Sequence, residues 1–162
     1  METSLYSNTV YSFEREGSKT IIINIPMTVN DNSFRVNLDE LITIDEHSDI
    51  YLDSLTTYDC NTSNSSPNNI GFILSIDEFE IRSVSNTSTI GRSLFIPNDQ
   101  NHATITTVSK THKGKKMNYV CSINPMKIQQ ITGKITNIAG GTAFASDNGR
   151  FIAEFVIISK EN

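Results

Sequence analysis

The chain has no tryptophan, only two cysteines and four prolines among 162 residues, and no apolar run near the roughly 18 residues of a membrane span. Without tryptophan, the side chain best suited to stacking on ligands is missing. Cys60 and Cys121 stand far apart with no pairing motif, which argues against a disulfide framework and reads as two reduced thiols. The opening "METSLYSNTVYSFE" has neither a cationic start nor an apolar stretch, so a secretory leader is not expected. The three glycosylation sequons at Asn61, Asn64 and Asn86 then read as chance matches in a chain rich in Asn and Ser. Catalytic signatures are missing as well: the sequence holds no GxSxG elbow, P-loop, HExxH or paired-Cys motif. The glycines of "GKITNIAGGTAF" lack the strand-to-helix context that a phosphate cradle needs.

Isoleucine is the commonest residue, and Asn, Ser and Thr together supply about a third of the chain, a profile that suits short strands joined by polar turns. At 18.0 kDa one domain is expected, large enough to bury roughly 70% of its unfolded surface. The net charge of −5 disfavours a general nucleic-acid binder. The charge is unevenly spread: residues 1–81 carry 14 acidic and 3 basic side chains, residues 82–162 carry 4 acidic and 10 basic. Such polarity suits head-to-tail packing of subunits. Alternatively, strands from the two halves pair and the asymmetry cancels within one molecule.

Strand signals recur from end to end. In "KTIIINIPMTV" the run Ile21, Ile22, Ile23 and Ile25 reads as a buried strand, and in "FRVNLDELITI" Phe34, Val36, Leu38, Ile42 and Ile44 share one period-2 face broken only by Glu40. "DIYLDSLTTYD" follows, then the polar loop "CNTSNSSPNN", a long strand "IGFILSIDEFEIRSV" and a short one in "RSLFIPND". "HATITTVSKTHKGKKMNYVCSINP" reads as a hairpin with Lys113-Gly114 at its tip. In "KIQQITGKITNIAGG" the spacing of Ile128, Ile131, Ile135 and Ile138 is helical, yet Gly133, Thr132, Thr136 and the Gly140-Gly141 stop favour a strand. A last apolar strand, "RFIAEFVIIS", is expected to be tied into the sheet. The pattern predicts an all-β sandwich or barrel with a body over residues 19–162, preceded by an arm or extra strand over residues 1–18.

Two clusters invite a chemical reading. "IDEHSDIYLD" packs Asp45, Glu46, Asp49, Asp53 and His47 into ten residues, but a calcium loop needs alternating ligands and a bending glycine, so a strand-turn-strand corner is expected instead. None of His47, His102 and His112 has a histidine at i+2 or i+4, and no metal or cofactor is expected. The basic run "KTHKGKK" suits an exposed, soluble tip. Among functional readings, a subunit contact through Lys110, Lys113, Lys115 and Lys116 is favoured over nucleic acid, because no aromatic or arginine is interleaved.

"ELITIDEHSDIYLDSLTTYD", "IGFILSIDEFEI" and the ending "ITGKITNIAGGTAF...GRFIAEFVII" together resemble the small single-jelly-roll capsid proteins, penton or minor capsid components, of nucleocytoplasmic large DNA viruses. The similarity runs over about residues 19 to 160 and is most specific between Gly133 and Ile158. It implies an antiparallel β-sandwich, a single jelly roll of about eight strands, with no enzymatic activity. It also implies a virion component assembled in host cytoplasm, whose partners are copies of itself, a pentamer being favoured, and other capsid proteins. A ring of that kind uses heterologous contacts. No segment for a protruding domain is evident, so a minor or cement position stays open. The alternative is a jelly-roll head that binds a receptor or glycan; a cupin-type enzyme ranks third, for want of clustered histidines.

Overall fold

The computed structural model describes residues 18–61, 66–87, 90–98, 109–112 and 117–160, without the side chains of Ser109 and Lys110. Apart from Ser18, the arm expected over residues 1–18 lies outside them, as does His102. Among the described residues nine strands form: β1 (Lys19–Met27), β2 (Ser33–Ile44), β3 (Ser48–Tyr58), β4 (Gly71–Ile76), β5 (Leu94–Pro97), β6 (Ser109–His112), β7 (Asn118–Ile123), β8 (Met126–Asn137) and β9 (Gly149–Ser159). Among the described residues the sole helical element is a single 3-10 turn at Pro67–Asn69, started by the Ser66 hydroxyl accepting from the Asn68 amide, and no helix is long and apolar enough to cross a membrane.

The strands make two antiparallel sheets packed face to face, the expected β-sandwich. One has the order β1-β9-β3-β6, with β7 also paired to β3; the other has the order β2-β8-β4-β5. The pairings are nested: β1 with β9, β2 with β8, β3 with β6 and β7, β4 with β5. That is the pattern of one long hairpin whose tip lies between β4 and β5. Rolling the ribbon adds the β3–β9 and β4–β8 contacts and splits it into two layers. One flank of the sandwich is then β1 over β2, the other β5 with β6 and β7.

Alternation places the core between the layers. Ile21, Ile23, Ile25 and Met27 of β1 point inward while Ile22, Asn24 and Pro26 point out. On β9, which lies between β1 and β3, Phe151, Ala153, Phe155 and Ile157 point inward. Phe79 meets Phe155 edge-on at 5.3 Å, and Phe144 stacks near Phe151 at 6.4 Å. Each buried Phe or Ile contributes on the order of 1.5–3 kcal/mol relative to exposure, and this sum holds the two layers together.

Bulges explain where the simple alternation breaks. Between Asn37↔Gln130 and Ile42↔Ile128, four residues of β2 oppose one of β8. Glu40 lies in this bulge and is exposed, so Phe34, Val36, Leu38, Ile42 and Ile44 keep their inward side without burying a carboxylate. Gln129 secures the bulge by donating to the Leu38 carbonyl at 2.9 Å, and Gln130 donates to Asn37 Oδ1 at 2.7 Å. The same irregularity shifts β8 by one residue, so Ile128 and Ile131, three apart, both face the core. The helix-like isoleucine spacing thus belongs to a bulged strand. On β3, Asp53 is the extra residue against β9, which moves the inward set from Ile50 and Leu52 to Leu55 and Thr57.

Two expectations are corrected. β6 and β7 are not arms of a hairpin: both pair with β3, in the same direction, so they are one interrupted strand. Between the pairings Leu55↔His112 and Leu52↔Asn118, only Asp53 and Ser54 of β3 intervene. Nor is residues 70–84 one long strand. β4 ends at Ile76 because Glu78 folds back, its carboxylate accepting from the Thr132 amide at 2.9 Å and from the Thr132 hydroxyl at 3.0 Å. Beyond it Phe79 and Ile81 still alternate inward against exposed Glu80 and Arg82, and no described strand pairs with them.

Candidate functional site

The two clusters picked out in the sequence fare differently. Of the basic run, Lys110 lies on β6 opposite Thr57, and Lys113, Lys115 and Lys116 lie outside the described residues. The acidic stretch does form a strand-turn-strand corner. Asp45, Glu46 and His47 are exposed in the turn from β2 to β3, Ile50 and Leu52 face the core, and Asp53 occupies the bulge. Its four carboxylates do not converge. Among the described residues, no three His, Cys, Asp or Glu side chains meet in a way that could hold a metal ion.

One member of that stretch, Asp49, belongs to a polar assembly built from three strands. Asp49 is the second residue of β3, Ser122 stands opposite it on β7, and Lys160 follows β9 directly. Lys160 Nζ lies 2.8 Å from Asp49 Oδ1, and Ser122 Oγ donates to the same oxygen. Having spent its proton there, Ser122 accepts from Lys160 at 3.2 Å and from the Tyr119 hydroxyl at 2.9 Å. Tyr119 is 52% exposed, and its ring is braced edge-on by Tyr51 at 5.8 Å. The turn joins the same corner: the Lys160 amide donates to the His47 carbonyl at 2.9 Å, and His47 Nδ1 lies 3.3 Å from Asn124 Oδ1.

The charges here are fixed. Burial pulls the Asp49 carboxyl upward, but the hydrogen bonds from Lys160 and Ser122 and the Lys160 charge outweigh it and hold it below its ordinary value. The hydrogen bond to Asp49 raises Lys160 in turn. A carboxylate made less basic and an ammonium made less acidic suit a standing ion pair and are poorly matched to proton transfer at Ser122 near neutral pH.

Beside this assembly runs a groove of about 660 Å³. Its polar lining comprises His47, Tyr119, Ser122, Asn124, Glu80, Arg82 and Ser83, and Ile81, Leu94, Ile123 and Met126 add apolar surface. Cys121 also lines it, 4% exposed, and burial pushes its thiol up to about 11, so it stays protonated and unreactive at neutral pH. The second thiol, Cys60, accepts from Thr57 Oγ1 at 3.0 Å in the core; the same hydroxyl lies 2.7 Å from His112 Nε2, and the His112 ring meets Phe72 at 4.6 Å. All three polar residues are buried, which leaves a substrate no approach to them. His112 is accordingly a strand residue of the core and does not lie in a turn.

The Asp49, Tyr119, Ser122 and Lys160 assembly had no local signal in the sequence, since its members span more than a hundred residues. The strand register alone brings them together. The chain matches no protein-family model, and no curated protein is similar to it in sequence.

Proposed function

We propose that this chain is a non-enzymatic structural subunit of a viral shell, a single jelly roll of penton type at five-fold vertices or else a minor capsid or cement protein. The observation that carries the reading is the nested pairing of a rolled hairpin. With β6 and β7 counted as one interrupted strand, eight strands remain in two four-stranded layers, as a jelly roll requires. A fold alone does not assign a task. The further support is the resemblance in strand and turn residues, together with the distribution of charge.

Exposed Asp39 and Glu40 lie on β2, on the β1–β2 flank, exposed Asp45 and Glu46 lie in the turn that leads from β2 to β3, and none forms an ion pair with a described cation. Lys110, the first lysine of the basic run, lies on β6, on the β5–β6 flank. Opposite charge on opposite flanks favours head-to-tail contacts, which close into a ring when the rotation permits. Its partners are then copies of itself and other shell proteins, and its place is the virion, after assembly in host cytoplasm.

The test is the mass of the full chain in solution and its symmetry by electron microscopy. A closed pentamer that dissociates as salt is raised supports the reading. A protein that stays monomeric and is missing from purified particles overturns it. The second reading, a head that binds a receptor or glycan, is favoured by one specific observation, the braced and exposed Tyr119 beside the groove.

A further inference from the structure

We infer that the groove beside β7 is a binding site for a neutral saccharide, with the Tyr119 ring as its platform. This inference stands independently of the shell reading and goes beyond it. Tyr119 is half exposed yet held at two points, by Tyr51 against its ring and by Ser122 at its hydroxyl. A pre-positioned aromatic face loses little freedom when the C–H face of a sugar ring stacks on it.

Hydrogen-bonding groups with spare capacity lie close by: Asn124 lines the groove with Tyr119 and Ser122, and Asp49 and Lys160 lie next to it, each bonded to Ser122. Both contacts to Asp49 fall on Oδ1, so Oδ2 has no partner among the described residues and can accept from a pair of hydroxyls. Asn124 engages His47 through Oδ1, and its amide nitrogen has no described partner and can donate. Lys160 Nζ is 44% exposed by side chain and supplies further donors. Hydroxyls that both donate and accept need such a mixture of a carboxylate, an amide and an ammonium.

The balance of charge identifies the class. Asp49, beside the groove, is offset by Lys160, and in its lining Glu80 lies 3.6 Å from Arg82. A phosphate or sulfate would meet a carboxylate for each cation, whereas an uncharged polyol meets paired donors and acceptors. The groove, at about 660 Å³, takes one or two sugar rings.

The test uses the purified full chain on an array of neutral, sialylated and sulfated oligosaccharides, with calorimetry on the strongest neutral ligand. Binding of a neutral saccharide that falls at least about tenfold in Tyr119→Ala and in Asn124→Ala, with melting temperatures unchanged, is the expected result. Val84→Ala, at an exposed position outside this groove, should bind as the parent does. The inference is overturned by an array with no neutral ligand, by binding that only sulfated glycans show and salt abolishes, or by neutral binding that both variants retain. Should either variant melt early, Tyr119→Phe replaces it: it keeps the ring and loses only the bond to Ser122, so binding persists if the platform carries affinity and its loss rejects the platform. A pentamer that binds no saccharide rejects this site alone, and a saccharide-binding monomer missing from particles rejects the shell reading alone.

Discussion

Phe34 of β2 lies edge-on to Phe151 of β9, their ring centroids 5.2 Å apart, and so joins the two layers across the flank where the ribbon begins to roll. Gly133 on β8 is paired with Phe34, and the space above it is taken: an added Cβ would come within 2.1 Å of the Ser75 carbonyl and 2.8 Å of the Phe34 ring. Gly133→Ala should therefore force β4 and β8 apart, at a cost of about 1–3 kcal/mol. Urea unfolding at constant m-value measures it. A midpoint equal to that of the parent would show that the close approach is not needed.

The same economy of space governs Phe79. It lies beyond the end of β4, where no described strand pairs with the chain, and its contact at 5.3 Å with Phe155 anchors the segment to the core together with the Glu78 bonds to Thr132 and the burial of Ile81. Phe155→Ala should cost about 3–5 kcal/mol. In a double-mutant cycle with Phe79→Ala the coupling should be about 0.5–1.5 kcal/mol, since the rings meet in the favoured edge arrangement. Additive single effects would mean that Phe79 is held by something other than Phe155.

Stability should respond to pH at both ends through the Asp49–Lys160 pair. Asp49 titrates below its ordinary 3.8 in the folded state, so its contribution is complete above that value and disappears as pH falls through the lower folded one. Lys160 titrates above its ordinary 10.5, so its contribution is complete below that value and is lost as pH rises through the higher folded one. Asp49→Asn should lower the melting temperature on the plateau between these limits. The gap to the parent should narrow as acid protonates the parent's own carboxylate. A gap that stays constant down to the most acid samples would mean that the pair is not the cause.

The thiols provide a second pH marker. Cys121 is raised from 9.0 to about 11 by burial, so the unfolded chain ionises first and stability is lost between those values as pH rises. Near neutral pH an aromatic disulfide reagent should leave native Cys121 and the fully buried Cys60 unmodified, then react with both at once in guanidinium. Rapid modification of one thiol in the native protein would reveal local opening of β7 or of the chain after β3.

What could be read in the sequence divides along physical lines. Strands that keep strict alternation, such as Ile21 to Met27, were legible because burial on one face imposes a period of two. Ile128 and Ile131 were ambiguous because a bulge on the facing strand shifts their phase, and nothing local to β8 reports what happens on β2. β6 and β7 were misread for the same reason: a Lys-Gly stretch between β-rich arms signals a turn, and whether the chain reverses there depends on the edge that β3 offers. The corner at Asp45 was legible because Asp and Ser satisfy turn backbones through their own side chains. The assembly around Asp49 was not, since it depends on where Lys160 and Ser122 fall in the register.

That corner is the last point open to direct trial. Asp45 is exposed and has no hydrogen-bonded partner among the described residues, and the one described side-chain bond of His47, to Asn124 at 3.3 Å, lies at the surface. The turn is held by the Lys160 amide on the His47 carbonyl and by the Ser48 hydroxyl on the Glu46 carbonyl, each at 2.9 Å. Asp45→Asn together with His47→Ala should therefore shift stability by no more than about 0.5 kcal/mol, since neither side chain is buried or carries the turn. Thermal melts with and without chelator check this directly. A large loss in the double variant, or a chelator effect on the parent that the variant lacks, would bring back an ion-binding role for the acidic corner, because the two bonds that hold the turn predict neither.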